Sequence, residues 1–401
     1  MEKGSSLFVI ILTLIVMVAF SSACSAGSGD ESPNEYAADV VNSHLGVDIS
    51  DSFECQNFFW SVVQVIGGYD TIYTDDVEKV TELFLGGHRI TSLAGIEHFV
   101  NLQRLYVNDN RLSSLDISHN RNLEVLMAQR NQLTKLIFSE NHSLHTIDVT
   151  DNQLIYLDTS NVAYLRILDA TSNYITYLDT QGMRYLQHLI VTLNRLTSLC
   201  LSENESLERL SICGNPIQAI DISSNTNLAT FMGMGVPLTS LDLSNNNKLT
   251  RLWIGVNQLT CIDVSANPML ESLWIPNNKL TSLCLSNNPR LRELVVNYNE
   301  LTILDLSNKA YLYALESRGN LLTSLDISST SIEFLDVRYN DMISPDYVIG
   351  WRELGLHLSS EYHQYFVHPV DNPDFRHMYS GWAWDLGFNR ENRVFAFYPM
   401  N

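Results

Sequence analysis

Basic residues are scarce in this 401-residue chain: 24 lysines and arginines face 45 aspartates and glutamates, a formal charge of −21. Phosphate binding needs a basic face, so nucleic acid is excluded as a partner. Cysteines are few. None of the six (Cys24, Cys55, Cys200, Cys213, Cys261 and Cys284) sits in a C-x-x-C pair or in a Cys/His cluster of metal spacing. That removes the usual zinc frameworks and argues against a disulfide scaffold. Beyond residue 20 no apolar run is long enough for a membrane-spanning helix. Fingerprints of common catalytic sites are missing too, with no G-x-S-x-G, H-E-x-x-H, P-loop or G-x-G-x-x-G pattern. No catalytic residue, metal ligand or cofactor is assigned, and the chain is not expected to be an enzyme.

What is present begins with an address. Lys3 precedes a 14-residue apolar run, Leu7 to Phe20, which is short for a bilayer and the right length for a signal-peptide core. Ser21, Ser22 and Ala23 then lead into Cys24. These residues resemble a bacterial lipobox, although Ser21 stands where that motif usually has an aliphatic residue. The resemblance implies cleavage after Ala23 and lipidation of Cys24. Ordinary cleavage, giving a soluble secreted protein, is the alternative. The polar stretch Ser25 to Glu35 carries Gly27, Gly29, Asp30 and Glu31 and suits a flexible tether. In Gram-negative lipoproteins such an acidic tether resembles a surface-export signal.

The rest of the chain is dominated by a period. Asn110, Asn131, Asn152, Asn173, Asn194 and Asn215, then Asn257, Asn278, Asn299 and Asn320, are spaced by 21 residues, with one doubled gap centred on Val236. The array extends one coil earlier, with His88 in the asparagine slot, and ends at Asn340, which makes thirteen coils. Self-similarity over most of a chain is the signature of a solenoid. In the coil from Leu207 to Ile217, the alternation predicts that Leu207, Leu210, Ile212 and Ile217 point inward. Asn215 turns the chain, and its amide can both donate to and accept from buried backbone. The second half of each coil reads as another extended segment, as in Leu238 to Asn246.

The half-coil L-E-R-L-S-I-C-G-N-P-I matches the leucine-rich repeat consensus L-x-x-L-x-L-x-x-N-x-L. The 21-residue unit resembles the repeats of bacterial leucine-rich repeat surface lipoproteins and, more distantly, internalin-like adhesins. The resemblance implies a curved right-handed solenoid, rich in β structure, with a parallel sheet on its concave face. The expected organisation is a signal peptide (1–23), a lipidated cysteine and tether (24–35), a helical N-terminal cap (36–80), leucine-rich repeats (81–341), and a β-rich C-terminal cap or small aromatic-rich module (342–401). Helices are expected at Ala37–Leu45 and Phe58–Ile66, and strands at Gly381–Phe388 and Arg393–Tyr398.

In that family the residue between the two core positions of each strand faces outward. Here the column reads Tyr106, Met127, Asp148, Asp169, Ile190, Ser211, Met232, Trp253, Trp274, Val295, Glu316 and Asp336. Its apolar run, Met232 to Val295, together with Met234, Arg251 and Pro276, forms the candidate partner-binding patch, since contiguous exposed apolar surface marks interaction sites. The competing reading is cross-strand stacking that merely stabilises the sheet. The implied function is non-catalytic recognition or adhesion at the cell surface, by a chain exported and lipid-anchored at the outer membrane. The partner is a protein or peptide. The alternative partner is a host or surface glycan, with exposed aromatics gripping the sugar. A second column, Asp116, Asp158, Asp179, Asp221, Asp242, Asp263, Asp305 and Asp326, is interrupted by Ile137, Cys200 and Cys284. It reads as a set of turn-stabilising side chains, with a calcium ladder as the alternative. Cys200 and Cys284 read as packing thiols. His357, His363, His368 and His377 fit no metal spacing and read as local hydrogen-bonding groups of the C-terminal segment.

Overall fold

The computed structural model describes residues 46–356, except 69, 139 and 140, together with the backbone strand Phe366–Val367. Cys24, the expected signal peptide and tether, the helix at 37–45, the four C-terminal histidines and the strands at 381–388 and 393–398 lie outside the described residues.

The core period becomes a stack of strands. One 14-stranded sheet runs through the molecule. Every pairing is parallel except the last, where Phe366–Val367 lies antiparallel to Phe334–Asp336. The parallel strands are therefore thirteen, one per coil. Paired positions are 22 residues apart at the first step (Glu82 with Arg104), 21 in the middle (Arg104 with Val125) and 20 at the last (Ala314 with Phe334). Each strand is two or three residues long, and its central residue is buried, as in Arg209–Ser211 and Arg251–Trp253. Leu207, Leu210, Ile212 and Ile217 have no exposed area, as the alternation requires.

The asparagine slot is a clip between coils. Asn173 Oδ1 accepts from Leu154 N–H of the preceding coil at 2.9 Å. Its Nδ2 donates back to Val149 O at 2.9 Å and, within its own coil, to Ala170 O at 3.2 Å. The same bonds recur at Asn110, Asn131, Asn152, Asn194, Asn215, Asn257, Asn278 and Asn299. The residue before each slot is left-handed in every coil, from φ 53° at Leu193 to 78° at Gly87. Only four of these thirteen turns use glycine, at 87, 214, 235 and 319. A left-handed non-glycine residue costs about 1–2 kcal/mol, and the clip that follows holds it in place. Val236 fills its slot with buried hydrocarbon, so that coil lacks the amide clip. His88 does not act as an asparagine. Its Nδ1 lies 2.7 Å from Ser61 Oγ in the N-terminal cap.

A second asparagine ladder runs along the other half-coils, and it was not foreseen. Asn120, Asn141, Asn204, Asn225, Asn246, Asn267 and Asn288 are all fully buried. Asn246 Nδ2 donates to Ile222 O and Asn225 O, both at 3.0 Å. Val162, Met183, Lys309 and Thr330 take the remaining slots of this period. Among the described residues the extended segments elsewhere on this side form ladders only at Ser114–Asp116 with Lys135–Ile137 and at Leu325–Asp326 with Val348–Ile349, plus one bridge between Tyr156 and Tyr177.

Helix α1 (Gln56–Ile66) closes the N-terminal end, and the short α2 (Thr74–Val77) follows it. Phe58, with no exposed area, packs its ring 6.3 Å from Phe99 and 5.1 Å from Phe53. This covers the otherwise open core of the first coil, which a solenoid end requires. No helix among the described residues is long and apolar enough to cross a membrane.

Candidate functional site

The outward column is a real row. Register pairs Met232 with Trp253, Trp253 with Trp274, and Trp274 with Val295 on consecutive strands. The row begins one strand earlier than the column read from sequence, at Phe84. Phe84 is 56% exposed and stacks on Tyr106 at 4.7 Å. In the candidate patch the two indoles stack with ring centroids 5.0 Å apart and planes 28° apart. Both are half-buried, as are Met234, Pro276 and Val295, while Arg251 is exposed. Met232 is different: it is only 2% exposed and belongs to the floor of the patch. Ser211, one strand further, is also buried, at 3%. Between Ile190 and Trp253 the outward residues are therefore covered by their neighbours.

Several local choices set this geometry. A Cβ on Gly255 would sit 2.8 Å from Pro276 Cδ, so only glycine lets the proline ring lie against the neighbouring strand. Met234 N–H donates to the buried Cys213 Sγ at 3.3 Å. Trp253 Nε1 donates to Ser272 Oγ at 2.9 Å, and Ser272 Oγ to Glu293 Oε2 at 3.0 Å. Tyr313 O–H completes the chain by donating to Glu293 Oε1. Burial, and then the bond to Glu293, push the Tyr313 phenol well above its usual pKa. Trp274 has no such partner: its Nε1 is buried without an acceptor. A buried unpaired donor costs about 1–3 kcal/mol.

Two of the acidic groups along the same face are ion-paired. Glu82 pairs with Arg104, and Asp336 with Arg338 at 2.5 Å. Glu293 is held as above, and Glu316 Oε2 accepts from Asn297 Nδ2 at 2.7 Å. Asp148 and Asp169 stand apart. They are register partners on adjacent strands. Each accepts from the backbone two residues on, Thr150 N–H at 2.9 Å and Thr171 N–H at 3.0 Å. Burial, and then the charge of Asp169, raise the Asp148 pKa.

The second aspartate column is committed to its own turns. Asp158, Asp221, Asp242, Asp263, Asp305 and Asp326 each accept from the backbone N–H two residues on, at 2.8 to 3.0 Å. These bonds lower their pKa values. Among the described residues no group of three or more His, Cys, Asp or Glu side chains is placed to hold a metal ion. Cys200 and Cys284 do not take the packing role expected of them. They are exposed, not packed inside, and take the place of the turn aspartates. Each Sγ lies 3.4 Å from a serine Oγ, that of Ser202 or Ser286.

A separate aromatic group lies on the outer half-coils. Tyr156, Tyr164, Tyr174, Tyr177 and Tyr185 are all at least 44% exposed, and Tyr164 stacks on Tyr185 at 5.5 Å.

No family model and no curated protein sequence matches the chain. Solved structures do. The functional domain of InlJ from Listeria monocytogenes, which includes a cysteine ladder, is similar over 74% of this chain and 72% of that one, at 27% identity and a TM-score of 0.69. The internalin InlF from the same organism is similar over 70% of this chain and 94% of its own, at 23% identity and a TM-score of 0.56. The ectodomain of the receptor kinase GASSHO1/SCHENGEN3 from Arabidopsis thaliana, solved in complex with CASPARIAN STRIP INTEGRITY FACTOR 2, is similar over 61% of this chain and 36% of its own, at 22% identity and a TM-score of 0.52. The last two likenesses speak to fold alone. With its stacked parallel strands, its buried asparagine clips and these neighbours, the chain is a leucine-rich repeat solenoid of internalin-like build.

Proposed function

We propose that this chain is a non-catalytic recognition protein of the cell surface, and that it binds a protein or peptide partner through the outward face of its parallel sheet. The stacked pair Trp253 and Trp274 carries the reading. Tryptophan pairs on a face flanked by polar residues are typical hot spots, and Met234, Arg251, Pro276 and Val295 surround this one over the Met232 floor. A purely structural stack would be expected to satisfy both indole N–H groups, and Trp274 Nε1 is left without an acceptor. The GASSHO1/SCHENGEN3 ectodomain shows that this fold can hold a partner. Lipidation of Cys24 would tether the solenoid at the outer membrane.

The test is a binding screen of the chain from residue 36 on protein, peptide and glycan arrays, repeated with a Trp253→Ala, Trp274→Ala variant. A protein or peptide hit lost by a variant that melts like the wild type supports the reading. A hit retained by the variant moves the site elsewhere, and early melting makes the stack structural. A glycan hit favours the second reading, a glycan-binding lipoprotein. For that reading the exposed tyrosines, with the Tyr164–Tyr185 stack, offer faces for sugar rings.

A further inference from the structure

The sheet face carries two chemically different sites on one row. At one end lie the carboxylates of Asp148 and Asp169, side by side on adjacent strands. Neither has a Lys, Arg or His nitrogen within ion-pair distance among the described residues, and neither accepts from a side chain of another coil. Of the other strand carboxylates of this face, Glu82 and Asp336 are ion-paired with arginines, whereas Glu293 and Glu316 are held by neutral side chains. Arg130, whose charge acts on Asp148, is already held by Asp109, and the charge of Asp169 acts on Arg209. At the other end lies the indole stack of Trp253 and Trp274. Between them Ser211 and Met232 are buried.

Resting on the proposed sheet-face recognition, we infer that the partner presents an extended peptide running across the strands, with a basic side chain between Asp148 and Asp169 and an aromatic or large aliphatic side chain on the Trp253–Trp274 stack. Charge complementarity selects the first anchor. Asp148 and Asp169 are adjacent carboxylates with no ion pair of their own among the described residues, and a guanidinium can bridge two adjacent carboxylates through its fork of donors. Burial and the neighbouring Asp169 charge already raise the Asp148 pKa, and a bound cation would offset the mutual repulsion. The apolar stack selects the second anchor and favours a ring that can lie over or against it. The buried middle, Ser211 and Met232, offers little side-chain surface for a partner to grip. Arg209 and Arg251 flank this path in the parallel column, two residues back along their strands, where they can donate to peptide carbonyls.

Strand spacing converts the geometry into a sequence rule. From Asp169 to Trp253 there are four strand steps, about 19 Å, and between the centres of the two pairs five steps, about 24 Å. An extended peptide advances about 3.3 Å per residue, so the two anchors should be about six or seven residues apart.

The experiment uses synthetic peptides with a Gly-Ser-Thr background, each carrying one Arg and one Phe in either order, at separations of about three to nine residues around that geometric value. Binding to the chain from residue 36 is read by the quenching of its tryptophan fluorescence and by calorimetry. Affinity should peak at the predicted separation. Replacing the Arg by Gln should weaken binding about tenfold, as should an Asp148→Asn, Asp169→Asn variant; the variant should bind Arg and Gln peptides alike. Asparagine is isosteric, and an unchanged melting transition shows that the variant is folded. The inference is overturned by flat affinity across separations, by equal binding of Arg and Gln peptides to the wild type, or by no binding in the panel. Loss with the Trp253→Ala, Trp274→Ala variant but not with the Asn variant would leave the recognition face standing and remove the acidic anchor.

Discussion

Two kinds of aspartate sit in equivalent chemical company and titrate in opposite senses. Those at the outer turns, such as Asp158 and Asp221, are held below the ordinary range by the serine N–H and hydroxyl groups they bond. Their contribution to stability is complete above the unfolded value, about 3.9, and is lost as pH falls through their folded values. Asp148 is shifted up by burial and by Asp169. The fold favours its protonated form, so its contribution is present below the unfolded value and is lost as pH rises through the folded one. At neutral pH the ionised carboxylate is therefore a burden. Asp148→Asn should raise the melting temperature at pH 7, and the gain should vanish near pH 3. A melting series across that range checks it, and a gain that is constant with pH would rule the argument out. The cysteines show where residue-level reading stops. Cys200 and Cys284 were expected inside because thiols usually are, but position in the turn decided their exposure, and each thiol simply replaces a carboxylate there.

At the level of the coil, two ladders of one amino acid do unequal work. Asn173 bonds the coil before it in both directions, accepting from Leu154 and donating to Val149. Asn246 only donates, and its Oδ1 is buried without a partner. Asn173→Ala should therefore cost about 2–4 kcal/mol, and Asn246→Ala about half as much. Denaturant unfolding of the two variants checks this; equal costs would mean that packing, not the acceptor, sets the value. The first ladder was legible in the sequence because its period runs almost unbroken and an apolar triplet precedes each asparagine. The second has the same period, but Val162 and Met183 interrupt it, so the signal fades at coils four and five. A helix was expected over the apolar stretch Phe58–Ile66, and the structure begins it two residues earlier, at Gln56. The depth of the patch was not legible. Alternation tells which way Met232 points, whereas its burial depends on the height of its neighbours across strands.

For the molecule as a whole, the charge of −21 and the repeat leave little doubt about class, while the partner is written only in the chemistry of one face. The proposed export and anchoring rest on the N-terminal residues. The intact chain expressed in a Gram-negative host should partition into detergent, and Cys24→Ala should shift it to the aqueous phase. Partition that is unchanged by the substitution would leave the chain without its lipid anchor. The solenoid itself has one more property. Because neighbouring coils meet through the same register, residues 196–216 can be excised so that Arg195 joins Ile217 at an equivalent point of the next turn. The array then acts as a ruler from which one graduation has been cut. The acidic pair and the indole pair should draw closer by about 4.8 Å, and the best peptide should become shorter by one or two residues. If the optimum does not move, distance along the stack is not what the protein measures.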